Sequence, residues 1–515
     1  MLKRVLVGGL AISVGFAILV SCNSSTTNTT KPGTGNLIAL VGDTPVCNVG
    51  SMHFLISGLQ LTQQGTTNNV AILNPSTNSF KINFGSLRDA ETFLSIGAFA
   101  QGTYDTGFFQ MSLGQLGVFD PTLVPPAPTL VTGSLSNTEP TFTVSPPLVV
   151  NPGQLSVVRF DMDMLRSIEV DSNGQITKII KPVFTATPVT LQPDGTYGRL
   201  ENLIGFVRSV VPYSPGTSFV GNFSMQLLTG SLPQGPVVNV NFASTTQMFG
   251  VTTTLSDLLT GTVVEVDGYL DRSGNLVADT VEAEGQEDPD LNQVALIGPI
   301  ISIARDATGN VTQFTQWVQD QQPDDTFSIP FDSEAVVNIS TSTTAPTTYQ
   351  YSSRTVNFTS PPLAFDSTSL AVGQQVIVYG PFTPPPPVSG GETQGPVTVA
   401  ATQIYLKMQT IQGSFTRLVQ AAPDNRTGAF QMAPCCTLLQ GAPIYVLTTG
   451  AVTSTTTKLT FQTKFQDVAG LNELTPQSTL LVKGMPFFEP NATSINGVPI
   501  PAGTLVILAS QVHQL

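Results

Sequence analysis

The stretch GTVVEVDGYL, residues 261–270, returns twice in altered form, as GQQVIVYGPF at 373–382 and QSTLLVKGMPF at 477–487. In each copy apolar residues stand two apart: Val264 and Val266, Val376 and Val378, Leu480 and Val482. Side chains two apart share one face of a strand. Each run then ends on a glycine, Gly268, Gly380 or Gly484. A glycine at a fixed strand position suits a sharp bend at a barrel corner. Working outward, three openings align, LIGFVRSV at Leu203, LIGPIISI at Leu296 and TIQGSFTRL at Thr410, each with an internal glycine (Gly205, Gly298, Gly413). Three closing strands share the frame Ala-x-x-Val/Ile: ADTVEA at Ala278, ATQIYL at Ala401 and ASQVHQ at Ala509. These anchors divide the chain into three units, 200–285, 292–407 and 409–515. About six strands per unit suggest a small closed or nearly closed β-barrel, which removes exposed strand edges.

The frame resembles the family catalogued as domain of unknown function 5666, whose pattern is matched by Leu258, Gly261, Val264, Val266, Gly268, Ala278 and Val281. The third unit departs from it, because LNELTPQSTLLVKG lacks the first glycine. The resemblance implies an oligonucleotide-fold-like barrel and no established activity.

Residues 37–190 read as a separate β-sandwich. In Val158-Arg159-Phe160-Asp161-Met162-Asp163 apolar and polar positions alternate strictly, so Val158, Phe160 and Met162 should face inward. Arg159, Asp161 and Asp163 should face outward together. Asn173-Gly174 is a strong hairpin signal, and the proline-rich stretch from Pro121 to Pro140 reads as a long loop or seam. Gly42-Asp43-Thr44-Pro45, Gly102-Thr103-Tyr104, Asp161 to Ile168 and Pro182-Val183 resemble the family catalogued as domain of unknown function 4382. That resemblance implies a sandwich and no activity.

The expected fold class is therefore all-β, an N-terminal sandwich followed by three barrel repeats. Composition agrees: 45 glycines and 39 prolines mark frequent turns, and only 10% of residues are charged, against an ordinary ~25%. The net charge of −14 leaves no basic face to displace counterions, so no nucleic-acid partner is expected. Two histidines, His53 and His513, offer little material for catalysis or metal binding.

At the N-terminus Lys3 and Arg4 precede an apolar run from Val5 to Val20. It falls short of the ~20 residues a spanning helix needs and suits a secretion signal, residues 1–21. Leu19-Val20-Ser21-Cys22 resembles the bacterial lipobox. The resemblance implies a diacylglycerol on the Cys22 thiol, cleavage before Cys22, and further acylation of the new amino group. Two or more chains anchor a protein stably to a bilayer. Residues 22–36 then read as a flexible tether. Asn23 is not the Asp that retains some lipoproteins at the inner membrane, which points to the outer membrane.

Candidate sites are few. Asp161 and Asp163 could form an acid–base pair or hold Ca²⁺, against the simpler reading of a solvated strand face. An acidic cluster gathers Asp267, Asp271, Asp279, Glu282, Glu284, Glu287, Asp288 and Asp290. The other two units lack it, so it reads as a turn at Asp271–Asn275 and a linker at Gln286–Asp290. Pro384 to Pro387 reads as a stiff loop. Trp317 could serve a sugar platform, though strand aromatics are more often core. With Cys22 committed to lipid, Cys47, Cys435 and Cys436 remain: Cys47 bridged to one of the pair, a Cys435–Cys436 bridge, or buried thiols. A Cys47 bridge is disfavoured, because it would join the first domain to the last barrel. The function expected is a lipid-anchored, exported, non-enzymatic scaffold, adhesin or stalk of the cell envelope. The alternative is a binding module for carbohydrate or another envelope polymer, and the third reading is a carboxylate-dependent glycan-acting enzyme. No cofactor and no metal are expected. The membrane, through the lipid, and an envelope polymer or protein are the expected partners.

Overall fold

The computed structural model describes residues 33–43, 47–73, 80–86, 91–119, 128–172, 176–191, 196–213, 219–227, 237–250, 252, 254–286, 293–322, 333–351, 359, 361, 363–383, 395–439, 444–450 and 462–515. Cys22, the signal stretch, most of the tether, Asn173-Gly174 and Pro384–Pro387 lie outside these residues.

The N-terminal region is a twelve-stranded sheet. Its strands are β1 (Thr34–Asp43), β2 (Val49–Gln63), β3 (Asn69–Leu73), β4 (Phe80–Asn83), β5 (Glu91–Ala100), β6 (Gly102–Phe119), β7 (Pro128–Leu135), β8 (Thr141–Val150), β9 (Leu155–Met162), β10 (Ile168–Val170), β11 (Ile176–Ile180) and β12 (Phe184–Val189). A short helix, α1 (Met164–Ser167), follows β9. Strand β6 is separated from β9 by β8 and β12 in the sheet order. Yet the Phe109 and Phe160 rings meet at 5.5 Å, edge to face. The sheet therefore curls over itself and encloses an aromatic core as a sandwich. Val158, Phe160 and Met162 are fully buried in it, as their alternation predicts. The proline-rich stretch differs from expectation: Pro128–Leu135 forms strand β7, antiparallel to the end of β6. Its proline stands at the first strand position, where a missing N–H is tolerated.

Strand β1 explains the near-continuous apolar run Leu37-Ile38-Ala39-Leu40-Val41. Leu37, Ala39 and Val41 enter the sandwich core. Ile38 and Leu40 enter a second core shared with the next module. A strand covered on both faces has no solvent position to alternate with.

That next module is a closed five-stranded barrel of β13 (Thr196–Val211), β14 (Gly221–Leu227), β15 (Val237–Gly250), β16 (Thr262–Asp271) and β17 (Leu276–Gln286), paired in the circuit β13-β14-β15-β17-β16. Its third and fifth strands are parallel and its other neighbours antiparallel. The second region holds β18 (Gln293–Arg305), β19 (Val311–Val318), β20 (Asp320–Gln322), β21 (Ser333–Ile339), β22 (Thr348–Tyr351), β23 (Gln375–Thr383), β24 (Val397–Ala401) and β25 (Gln403–Leu406). Within it β18-β19-β21-β24-β23 repeats the circuit, closed by β18–β23, with β21 and β24 parallel. The last region holds β26 (Gln409–Ala421), β27 (Gly428–Pro434), β28 (Ile444–Thr448), β29 (Lys464–Gln466), β30 (Thr479–Glu489), β31 (Thr493–Ile495), β32 (Val498–Ile500) and β33 (Thr504–Gln514). There β26-β27-β28-β33-β30 repeats it again. This order is that of the five-stranded Greek-key barrel. Five strands rather than six carry each circuit.

The repeated glycines have a common cause. A Cβ on Gly268, Gly380 or Gly484 would lie 2.2, 2.1 or 2.3 Å from a carbonyl oxygen of the paired closing strand, on Val277, Ala400 or Leu508. The bend at this corner brings two backbones too close for any side chain.

Candidate functional site

Four residues singled out by sequence, Glu282, Cys47, Cys435 and Trp317, lie on the seams between modules. Glu282 and Tyr405 each lie four residues beyond the alanine of their closing frame, Ala278 and Ala401. The Tyr405 hydroxyl donates to Glu282 Oε1, so matching strands of consecutive barrels face each other. Beside them Lys407 Nζ donates to Glu265 Oε2 at 2.8 Å, with side-chain exposures of 8% and 11%. Asp267 is buried and accepts from the Thr280 hydroxyl at 3.4 Å. The acidic cluster is therefore not all turn and linker. Asp267 is buried on its own barrel beside Thr280, and Glu282 is packed inside against Tyr405 of the next barrel.

The turn half of that reading is seen directly. Asp271 Oδ1 accepts the backbone N–H groups of Ser273 and Asn275, both at 2.8 Å. Asp306 does the same for Thr308 and Asn310, at 2.8 and 3.0 Å. Gly274 and Gly309 take φ of +81° and +90°, which only glycine adopts readily. Asp-x-Ser/Thr-Gly-Asn is thus a recurring hairpin closure, and its hydrogen bonds hold the Asp306 carboxyl below the usual range. Glu287, Asp288 and Asp290 lie outside the described residues. Among the described residues no group of three or more His, Cys, Asp and Glu side chains is placed to hold a metal ion.

Asp161 and Asp163 do not form a pair. Asp163 caps α1, its Oδ1 accepting the backbone N–H of Arg166 at 3.0 Å. Asp161 stays on the strand in register with Thr185. Burial raises its pKa, and the Arg159 charge opposes the shift.

Cys47 and Cys435 are joined by a disulfide with Cα atoms 5.5 Å apart, and Cys436 is a free thiol. This corrects the expectation that the first domain and last barrel stay unbridged. Sequence distance misleads here because the chain doubles back, bringing the last barrel against the sandwich. Phe119 of β6, Ile301 and Trp317 of the second barrel, and Leu438 of the third form one small core at that junction. Trp317 is fully buried rather than a platform, its ring edge-on to Phe119 at 4.8 Å. A Cβ on Gly50 or Gly117 would lie 2.0 Å from its ring, so two strands of the sandwich are shaped around it. Gln319 Nε2 donates to the Gly50 carbonyl at 2.5 Å. His513 contacts Asp467 at 2.8 Å.

The second and third barrels share a continuous core in which Met485, Phe487 and Leu508 join Leu296, Val378 and Ile404. Gln374 Nε2 donates across to the Pro486 carbonyl at 2.9 Å. Sequence reading missed Glu265, Tyr405, Lys407 and Gln374. For Glu265 the available signal was a lone charge inside an otherwise apolar strand, and Lys407 and Gln374 stand at the ends of such strands.

The model of a family described as a domain of unknown function (DUF5666) matches residues 236–290. That stretch includes β15, β16 and β17 of the first barrel. No curated protein matches the chain. Among solved structures, a deletion mutant of the single-stranded DNA binding protein from Thermus aquaticus is 15% identical, over 44% of this chain and 94% of that one, with a TM-score of 0.14. The wild-type form of that protein is 14% identical, over 44% and 93%, with a TM-score of 0.13.

Proposed function

We propose that the chain is a non-enzymatic scaffold of the cell envelope, anchored through lipid on Cys22 and placed at the outer membrane. One observation carries this reading. Groups capable of chemistry are spent on joining modules: the candidates Glu282 on Tyr405 and Cys47 on Cys435, and beside them Glu265 on Lys407. A buried ion pair is weak evidence for stability but can fix one arrangement of parts. A disulfide between distant segments fits an oxidising, exported setting.

Metabolic labelling with a palmitate analogue tests the anchor. Wild type takes label and Cys22→Ala does not; equal labelling of both sinks the assignment. Purified protein should release no fragments from envelope polysaccharides, and measurable release sinks the non-enzymatic part. A second reading, a carbohydrate-binding module, is favoured by a cleft lined with hydroxyl groups on the sandwich.

A further inference from the structure

We propose that this cleft, on the outer face of the sandwich, is a binding site for a linear acidic glycan. The proposal deepens the carbohydrate-binding reading, and the scaffold reading does not depend on it.

The cleft has a volume of about 840 Å³, inside the ~300–1,000 Å³ range of ligand sites. It runs across β6, β8 and β12, with Thr62 of β2 at one side. Strand β12 meets β8 in a single paired position, Ala186 against Val144, which leaves a groove between them. Register sets the lining. Thr62 pairs with Thr106, and Thr106 pairs with Thr143. Thr141 lies two residues before Thr143 on β8, and Thr185 and Thr187 stand two apart on β12. Side chains two apart share a face, and Thr106, Thr141, Thr143, Thr185 and Thr187 are all exposed. With Ser145 they make rows of hydroxyls spaced ~4.8 Å between the paired strands β6 and β8 and ~6.8 Å along each strand, with the β12 row across the groove. Each hydroxyl both donates and accepts, which matches a polymer whose own surface is hydroxyl groups.

Two further groups narrow the class. Phe108 of β6, paired with Thr141, keeps its ring half-buried in the cleft. An aromatic face offers an apolar, electron-rich surface to the C–H face of a sugar ring. Arg166 is the one ionisable side chain among the lining residues, so the cleft itself carries positive charge although the chain's net charge is −14. Its side chain is 69% exposed, and its Nε is 3.9 Å from Asp163 Oδ2. The Asp163 carboxylate is already engaged as a helix cap. The cap uses Oδ1 and the ion pair uses Oδ2 and Nε, so the two Nη groups of the guanidinium remain to donate to a carboxylate of the ligand, the geometry it binds best,.

The test is calorimetric titration of the purified full-length protein with a hexameric galacturonate and with cellohexaose as the neutral control. Wild type should bind the galacturonate at least tenfold more tightly than cellohexaose. Thr143→Val/Thr185→Val should weaken galacturonate binding at least tenfold, as should Phe108→Ala. Arg166→Gln should erase the preference for the acidic chain. These side chains are surface groups, and unchanged far-UV circular dichroism verifies folding of each variant. If wild type binds neither sugar, both this site and the carbohydrate reading fall. Should it bind with the cleft variants unaffected, the site falls and the broader reading stands. Equal or tighter binding of cellohexaose overturns the acidic class.

Discussion

Replacing Lys407 by methionine removes one half of the buried pair with Glu265 and keeps most of the stem's packing. Both side chains are about a tenth exposed, and Nζ to Oε2 is 2.8 Å, so solvent screening of the pair is slight. Losing one partner leaves a buried charge uncompensated, which costs about 3–5 kcal/mol. With a urea m-value of about 3 kcal/mol/M, the unfolding midpoint falls by roughly 1–1.7 M. Glu265→Leu on the same background removes the orphaned charge as well. Apolar replacement of a whole buried pair is often neutral or stabilising by ~1–4 kcal/mol, so the double variant should return to the wild-type midpoint or above it. Urea unfolding followed by far-UV circular dichroism reads all four corners of the cycle, and the coupling between the sites is the interaction itself. Additive single effects, or a Lys407→Met midpoint indistinguishable from wild type, would refute the claim that this pair is desolvated between barrels.

Three further outcomes are expected. Gly117→Ala places a Cβ 2.0 Å from Trp317 Cζ2 and 2.3 Å from Ser51 Oγ; it should cost about 1–3 kcal/mol by overpacking and red-shift the tryptophan emission, and an unmoved emission maximum contradicts it. Asp161 has a raised pKa from burial, so the native state holds its proton more tightly than the unfolded chain. Its contribution is then present at low pH and lost as pH rises from the ordinary 3.8 through the raised folded value,. Asp161→Asn should flatten that decline in urea midpoint, and an unchanged slope contradicts it. Burial, with the nearby Asp366 charge, pushes Tyr349 up to about 12; Tyr349→Phe should remove one tyrosine's worth of absorbance change from the high-pH end of an ultraviolet titration, and an unchanged high-pH amplitude contradicts it.

The barrels were legible because their constraint is local. Gly268, Gly380 and Gly484 sit where two backbones touch, and that demand survives divergence of everything between them. The Val158-Phe160-Met162 alternation revealed the sandwich core for the same reason, since strand period alone decides which side is buried. What sequence could not show is how the modules meet. Glu282 read as a solvent acid because its partner, Tyr405, comes from the next barrel. Cys47 and Cys435 are 388 residues apart, and only the return path of the chain brings them together. The threonines of the cleft are spread over β2, β6, β8 and β12, so their row exists only in the register of the folded sheet. Asp163 looked like a partner of Asp161 until α1 began there and turned it into a cap.

The most direct test of the locked assembly uses the single tryptophan. Trp317 is buried where sandwich, second barrel and third barrel converge. Urea unfolding of the purified, oxidised protein should be followed by Trp317 fluorescence and far-UV circular dichroism on the same samples. Coincident midpoints are expected, because the junction cannot open without giving up cores the modules share. A fluorescence transition at clearly lower urea, with strand signal intact, would contradict the assembly and return the chain to independent modules on a string.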